Sequence, residues 1–403
     1  MKSSFKKLAG LLLLAVSCCA SAHAAPLTIL VSIDGMRADY LERGVTPNLN
    51  RLAAGGARAV AMRPSFPSIT FPNHYTLVTG LRPDHHGIVG NNMDDAAIPG
   101  VRFSLDNQEA VTDRRWWDQA EPVWVTAELH SIRTGTLFWP GSEAPIHGVR
   151  PTVAPPFDGK HPAVVRVDRL LSWLGRADVE PLGFATLYLD DVDHAGHTFG
   201  PDAGQTTRAV ARVDQMIGRL LDGLAQRHLD ANLVIVSDHG MAPVSAARVV
   251  RMDQLLQEGS YSKVVGGSYA GLEAVAGHEA ELAAALLKPQ QHMQCWRKGE
   301  MPARLAYGQN ARVPAFICLA ETGWLLEFSD KNAQSVKGGA HGYDNVAPEM
   351  AAIFIAAGPA FKPGVVLPAF DNVDVYPLLM RLLKLTPLPS DGDITPLLPA
   401  LAP

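Results

Sequence analysis

Apolar, largely β-branched runs of strand length recur along the chain at Leu27–Ile33, Gly135–Phe138, Phe184–Leu189, Ala231–Val236 and Ala351–Ala356. None keeps a strict apolar–polar alternation, so each predicts a strand buried on both faces. The segment Gln205–His228 spaces Val210, Val213, Met216, Ile217, Leu220, Leu221 and Leu224 three or four residues apart or side by side, which predicts a long amphipathic helix. Strands interleaved with helices predict one large α/β domain over residues 25–403, a mainly parallel sheet with helices on both faces. The rhythm breaks between about Pro243 and Lys337, where the pattern turns irregular and ends in Lys337-Gly338-Gly339-Ala340. That stretch predicts a small cap-like subdomain inserted into the core.

The N-terminus follows a different pattern. Lys2, Lys6 and Lys7 precede an apolar run from Leu8 to Ala20, and Ala22-His23-Ala24 supplies a small-x-small cleavage signal. Residues 1–24 therefore read as a secretory signal peptide cleaved near Ala24, with the periplasm or the medium as destination. The run is too short to serve as a transmembrane segment. A lipoprotein processing site at Ala15-Val16-Ser17-Cys18 is the weaker alternative.

Composition narrows the picture further. With 47% apolar and 19% charged residues the chain is ordinary globular material, and its net charge is -5. Cleavage removes three Lys and no acid and makes the mature chain more acidic still. No sequence-specific nucleic-acid binding or pull toward an anionic membrane is expected, and an anionic ligand must be held by metal or by placed donors. Cys295 and Cys318 are the cysteines left after cleavage, and an oxidising compartment favours joining them. No C-x-x-C is present, which argues against thiol redox chemistry or a cysteine zinc knuckle.

The candidate chemistry lies just beyond the predicted strands. Asp34 follows the first; Asp190, Asp191, Asp193, His194 and His197 follow the third; Asp238 and His239 follow the fourth. Strand ends of an open parallel sheet face one crevice. A lone Asp there is ordinarily a helix cap or turn residue, but several carboxylates massed together with imidazoles, His341 among them, need a cation. Asp oxygen and His nitrogen suit zinc. In Ser68-Ile69-Thr70-Phe71-Pro72, Pro72 suits the first turn of a helix and puts Thr70 at or just before its N-terminus. A metal would turn the Thr70 hydroxyl into a competent nucleophile, with Ser68 as the competing candidate. There is no G-x-x-x-x-G-K-[ST], G-x-S-x-G or H-E-x-x-H.

Six motifs in order, Val31-Ser32-Ile33-Asp34-Gly35-Met36-Arg37, Ile69-Thr70-Phe71-Pro72-Asn73-His74, His86-Gly87-Ile88, Asp193-His194-Ala195-Gly196-His197, Ser237-Asp238-His239-Gly240-Met241 and His341-Gly342-Tyr343-Asp344-Asn345, resemble the nucleotide pyrophosphatase/phosphodiesterase family of the alkaline phosphatase superfamily. The resemblance implies an alkaline-phosphatase-like core and two Zn2+ per chain. Asp193, His197 and His341 would hold one zinc; Asp34, Thr70, Asp238 and His239 would hold the other. It further implies a phospho-threonine intermediate on Thr70, with Asn91 and the backbone N–H of Phe71 donating to a non-bridging oxygen. Asn92 rivals Asn91. Asp190 and His194 share the spacing of Asp193 and His197; Gly196-His197 completes the D-x-x-G-H motif and favours the latter pair, although Val192 stands where the family usually has Pro. Phe71, Phe157 and Tyr188 would line a site for a small-molecule nucleotide, releasing nucleoside 5′-monophosphates. Phospholipid or phosphocholine diesters, phosphonates and phosphate monoesters are the alternative substrates.

Overall fold

The computed structural model describes residues 26–176 and 178–403, so the expected signal peptide lies outside the described residues. The central sheet has seven strands: β1 (Leu27–Ile33), β2 (Ala57–Ala59), β3 (Thr134–Leu137), β4 (Phe184–Leu189), β5 (Ala231–Val236), β6 (Phe354–Ala357) and β7 (Val365–Leu367). Their order is β7-β2-β6-β5-β1-β4-β3. β1 is an interior strand, parallel to both neighbours, with Ser32 level with Tyr188 on β4 and with Val236 on β5. The segments that follow these strands therefore begin at one level on one edge of the sheet.

The helices that flank it include α1 (Pro47–Gly55), α2 (Thr70–Thr79), α3 (Ala163–Trp173), α4 (Asp191–Phe199), α5 (Gly204–Gln226) and α6 (Val375–Leu382). Successive strand side chains face opposite ways. Ile29, Val31 and Ile33 of β1 accordingly pack with Leu49, Val167 and Ile217 of α1, α3 and α5. Leu30 joins the core containing Val78 and Leu379, from α2 and α6. The sheet is thus mainly parallel and covered on both faces, as the apolar runs predict, and the amphipathic Gln205–His228 segment forms α5.

Two boundaries differ from expectation. β3 ends at Leu137 because Phe138 adopts a left-handed conformation with φ 66°. β6 begins later than Ala351, since Ala352 first bridges Met62 through two backbone hydrogen bonds. β6 also runs antiparallel to β5 and β2. The chain leaves β5 and returns at the same end of the sheet, so no crossover reverses it.

Ala242–Pro243 pairs antiparallel with Gly339–Ala340. Between those arms lies a separate four-stranded antiparallel sheet, ordered Tyr261–Val265, Tyr269–Ala274, Phe316–Ala320, Met293–Arg297. Its core includes Leu272, Leu282, Phe316 and Leu326. Cys295 lies level with Cys318 on adjacent strands, and the two form the expected disulfide.

Candidate metal centre and adjoining cavity

Thr70 is the first residue of α2, after an extended Ile69. The approach to it is held by Asn73, whose carboxamide accepts from Ser65 N–H at 2.8 Å and donates to the carbonyls of Pro67 and Ile69. The Thr70 hydroxyl is thereby set 3.4 Å from Nε2 of His239. Ser68, the competing nucleophile, is buried and donates to the Tyr343 carbonyl at 3.0 Å.

The seven expected ligands converge. Nε2 of His239 lies 3.4 Å from Oδ1 of Asp34 and 3.0 Å from Oδ2 of Asp238. Oδ1 of Asp193 lies 3.4 Å from Nε2 of His197 and 3.7 Å from Nε2 of His341, and those two nitrogens are 3.0 Å apart. The rings of His239 and His341 stack at 3.5 Å, bringing the two halves together. Gly35 permits this approach of β1 to α4: its φ is +68°, and a Cβ there would sit 3.0 Å from Asp193 Cα.

Side-chain orientation identifies the open ligand atoms. Nδ1 of His197, His239 and His341 faces the carbonyls of Gly339, Gly240 and Ser68 at 2.9, 2.9 and 3.1 Å. A proton on each Nδ1 satisfies those carbonyls and leaves the Nε2 lone pairs for a cation, the usual arrangement around ligating histidines. Oδ1 of Asp34, Oδ1 of Asp193 and Oδ2 of Asp238 are buried without a hydrogen-bond partner. Orphaned acceptors of that kind are costly unless a cation satisfies them. Two groups, Asp34–Asp238–His239 and Asp193–His239–His341, each place ligand atoms within 4.8 Å of one another. The residues present fit divalent metal.

Electrostatics agree. Burial, with Asp238 and Asp193 beside it, pushes the Asp34 carboxyl well above the usual range. Burial likewise raises Asp193. Burial opposes ionisation of Asp238 too, but positive charge on the imidazoles of His239 and His74 outweighs it and holds that carboxyl below the ordinary range. Against burial, Asp238 and Asp193 in turn raise His239, and a cation at Nε2 would take the place of that proton. His341 is pushed well below the usual imidazole range by burial, then by His239 and His197, so it stays neutral and able to ligate. Three carboxylates this close favour full ionisation only with positive charge between them.

A cavity of about 330 Å³ adjoins Thr70, walled by Phe71, Phe138, Trp139, Phe157 and Tyr188. Half-exposed Phe157 lies edge-on to Phe138 at 5.3 Å and to Tyr188 at 6.3 Å. Tyr188 lines the cavity, but its hydroxyl is committed to Asp34, donating to Oδ2 at 2.5 Å. Asn91 Oδ1 accepts from Phe71 N–H at 3.0 Å. The N–H expected to face substrate is therefore engaged, and the Asn91 carboxamide nitrogen is the donor left open. Asn92 instead enters a two-residue strand paired with Phe103–Ser104.

Asp190 faces Arg166, with Oδ1 3.1 Å from Nη2, while His194 is an exposed part of the cavity rim. Three further residues carry the site without having been singled out in the sequence. His74 lies fully buried between Ser32 Oγ and the Thr70 carbonyl, at 2.8 Å from each. Its place four residues after Thr70, one turn along the same face of α2, was the available signal. Asn73, like His74, stands in the quoted Ile69–His74 motif, but nothing there assigned it a role. Arg166 donates to the Tyr188 carbonyl at 3.1 Å, and its guanidinium lies over Phe138 and Phe157. A charge on the apolar stripe formed by Ala163, Val167 and Leu170 marked it.

Residues 28–344 match the family model for type I phosphodiesterase / nucleotide pyrophosphatase. Among curated relatives, an uncharacterized pyrophosphatase/phosphodiesterase of Schizosaccharomyces pombe is 36% identical over 386 residues, covering 92% of this chain and 79% of that protein. Human ectonucleotide pyrophosphatase/phosphodiesterase family member 1 is 36% identical across 93% of this chain, which spans only 42% of the human protein's length. A venom phosphodiesterase of Crotalus durissus collilineatus is 37% identical across 94% of this chain and 46% of its own. Among solved structures, human ectonucleotide pyrophosphatase / phosphodiesterase 5 aligns with a TM-score of 0.89 at 33% identity, covering 93% of this chain and 99% of that one. An inactive threonine-to-alanine variant of the murine protein in complex with AMP aligns equally well at 32% identity, covering 94% and 100%.

Proposed function

The chain belongs to the type I phosphodiesterase / nucleotide pyrophosphatase family, and we propose that it is a secreted two-zinc hydrolase cleaving nucleotide phosphodiester or phosphoanhydride bonds to release nucleoside 5′-monophosphates. The observation that carries this reading is the Thr70 hydroxyl, at the start of a helix and 3.4 Å from His239, beside buried unpartnered carboxylate oxygens and an aromatic cavity. Asp193, His197 and His341 would hold one zinc, and Asp34, Thr70, Asp238 and His239 the other. When bound, the pair supplies positive charge that lowers the proton affinity of the threonine hydroxyl and stabilises the departing oxygen.

The chain's own groups do the rest. Thr70 Oγ attacks phosphorus; the bond to the leaving oxygen breaks, and a nucleotidyl ester forms on Thr70, a phospho-threonine carrying the nucleoside. Attack by water on the same phosphorus then frees the monophosphate and restores the hydroxyl. Asn91, oriented by Phe71 N–H, offers its carboxamide nitrogen to a non-bridging oxygen, where charge develops. Phe71 and Phe157 present ring faces or edges to a base, and stacking contributes about 1–3 kcal/mol with little base preference. The AMP complex of the murine relative supports a nucleotide occupant, and the inactivity of its threonine-to-alanine variant supports a threonine in this role.

Residues 25–403 are read as one catalytic domain with an inserted subdomain at about 243–337. Export rests on the basic and apolar pattern of residues 1–24 and accords with the venom relatives; among the described residues no helix is long and apolar enough to cross a membrane. Hydrolysis of p-nitrophenyl thymidine 5′-monophosphate tests the reading. Activity should vanish on chelation, and Thr70→Ala should lose turnover while keeping its fold; unchanged turnover in that variant would overturn the proposal.

A further inference from the structure

Among the described residues, the segment between Pro243 and Gly339 reaches back to both loops that deliver Thr70 and Asn91. Tyr307, almost fully buried, donates its hydroxyl to the Val89 carbonyl at 2.8 Å, two residues before Asn91. Arg312, equally buried, donates to the Gly87 carbonyl at 2.8 Å, so the loop is held at two alternate carbonyls. The rings of Tyr307 and Tyr269 pack edge-on against Phe66, at 5.3 and 6.1 Å, on the loop leading to Thr70. The strap is anchored by Asp84, which accepts backbone N–H bonds from Gly308, Gln309 and Asn310 at 3.0, 2.7 and 3.2 Å. Ser268 completes the contact by donating to the carbonyl of His341 at 2.5 Å.

A carbonyl on a short glycine-bounded turn fixes the plane of the peptide that carries it. We infer that Tyr307, with Arg312 and Asp84 behind it, is a positioning residue that sets the Asn91 carboxamide against the phosphoryl oxygen, making the 243–337 insertion a working part of the active site. This rests on the role given to Asn91 under the proposed function. Loss of the tyrosine hydroxyl leaves the Val89 carbonyl unpaired and lets the turn rotate, withdrawing a donor used most strongly in the transition state. The effect belongs in kcat and not in KM.

The test uses the full chain loaded with zinc and p-nitrophenyl thymidine 5′-monophosphate as probe. Tyr307→Phe should lower kcat about ten-fold, with KM and bound zinc within about two-fold of wild type, because displacement of a catalytic group by a fraction of an ångström costs that order. Asp84→Asn, which retains one acceptor oxygen, should give a smaller loss of the same kind and guards against a folding defect in Tyr307→Phe. In an Asn91→Ala background, Tyr307→Phe should add almost nothing, since the group it places is gone. If Asn91→Ala is impaired while Tyr307→Phe turns over like wild type, or if the two losses multiply, the inference fails and the role of Asn91 survives. If Asn91→Ala itself is unimpaired, the role given to Asn91 fails and takes the inference with it.

Discussion

Replacing Tyr188 with Phe removes one oxygen from the wall shared by the aromatic cavity and the metal centre. That oxygen donates to Asp34 Oδ2 at 2.5 Å, while Oδ1 of the same carboxylate has no partner and is free for metal. No second donor to Oδ2 is found among the described residues, so the variant leaves a buried carboxylate oxygen bare. A hydrogen bond to a charged group contributes about 1.5–3 kcal/mol, which corresponds to roughly 10–150-fold in an equilibrium constant. Outer-shell partners of metal ligands typically change affinity about 10–100-fold. Zinc affinity at the Thr70 side of the centre should therefore fall about 10–100-fold. The Tyr188 hydroxyl also works against protonation of Asp34, whose carboxyl already lies well above the usual range. Its loss makes the proton a stronger competitor, so the deficit in zinc affinity should widen as pH falls. Turnover measured in zinc buffers of defined free concentration reads the affinity, and saturating zinc reads the remaining effect. Because the ring is retained, KM at saturating zinc should change little. A zinc dependence like that of wild type, with the loss appearing in KM instead, would refute the reasoning and leave Tyr188 as a wall of the nucleotide pocket alone.

Arg166→Met should raise KM for p-nitrophenyl thymidine 5′-monophosphate about ten-fold, because the guanidinium ties Asp190 and the Tyr188 carbonyl to the rings of Phe138 and Phe157. Methyl p-nitrophenyl phosphate, which has no nucleoside, should show little change; equal losses on both substrates would contradict that role. The Cys295–Cys318 bridge closes a separation of 23 residues and contributes about 3 kcal/mol. A double Ser variant should melt several degrees lower yet keep its kcat, since neither cysteine lines the Thr70 cavity; an unchanged Tm would contradict this. Burial pushes the Asp374 carboxyl up to about 6. The native state thus holds that proton more tightly than the unfolded chain, and stability falls as pH rises from about 4 through about 6. Asp374→Asn, which preserves the acceptor for Asp393 N–H, should gain about 1–2 kcal/mol at neutral pH, after allowance for solvent screening, and nothing near pH 4; calorimetry at both pH values checks the sign.

Much of the centre is legible because the chemistry sits one to four residues beyond apolar runs, and parallel strands in common register carry those positions to one edge. Asp34, Asp193 and Asp238 are readable in this way, and Thr70 through Pro72. The direction of β6 is not, because it depends on where the chain returns after a hundred residues of other structure. The hydroxyl of Tyr188 is similarly hidden: its period within β4 announces burial, but not that its oxygen ends on a carboxylate 154 positions away. Asp190 and His194 matched Asp193 and His197 in spacing; Gly196-His197 favoured the latter pair in the sequence, and in the structure a buried arginine from α3 occupies Asp190. The irregular stretch after Pro243 announces a change of architecture by its loss of periodicity. Its grip on the Asn91 turn spans 218 positions and leaves no local trace.

The most direct measurement is acid quenching of wild-type protein within the first turnovers of p-nitrophenyl thymidine 5′-monophosphate, followed by mass analysis of the peptide containing Thr70. The good leaving group makes ester formation fast and lets the covalent species accumulate. The account predicts a thymidine monophosphate adduct on Thr70 that disappears on longer incubation and never forms in Thr70→Ala. Full turnover with no adduct, or an adduct on any other side chain, would contradict it.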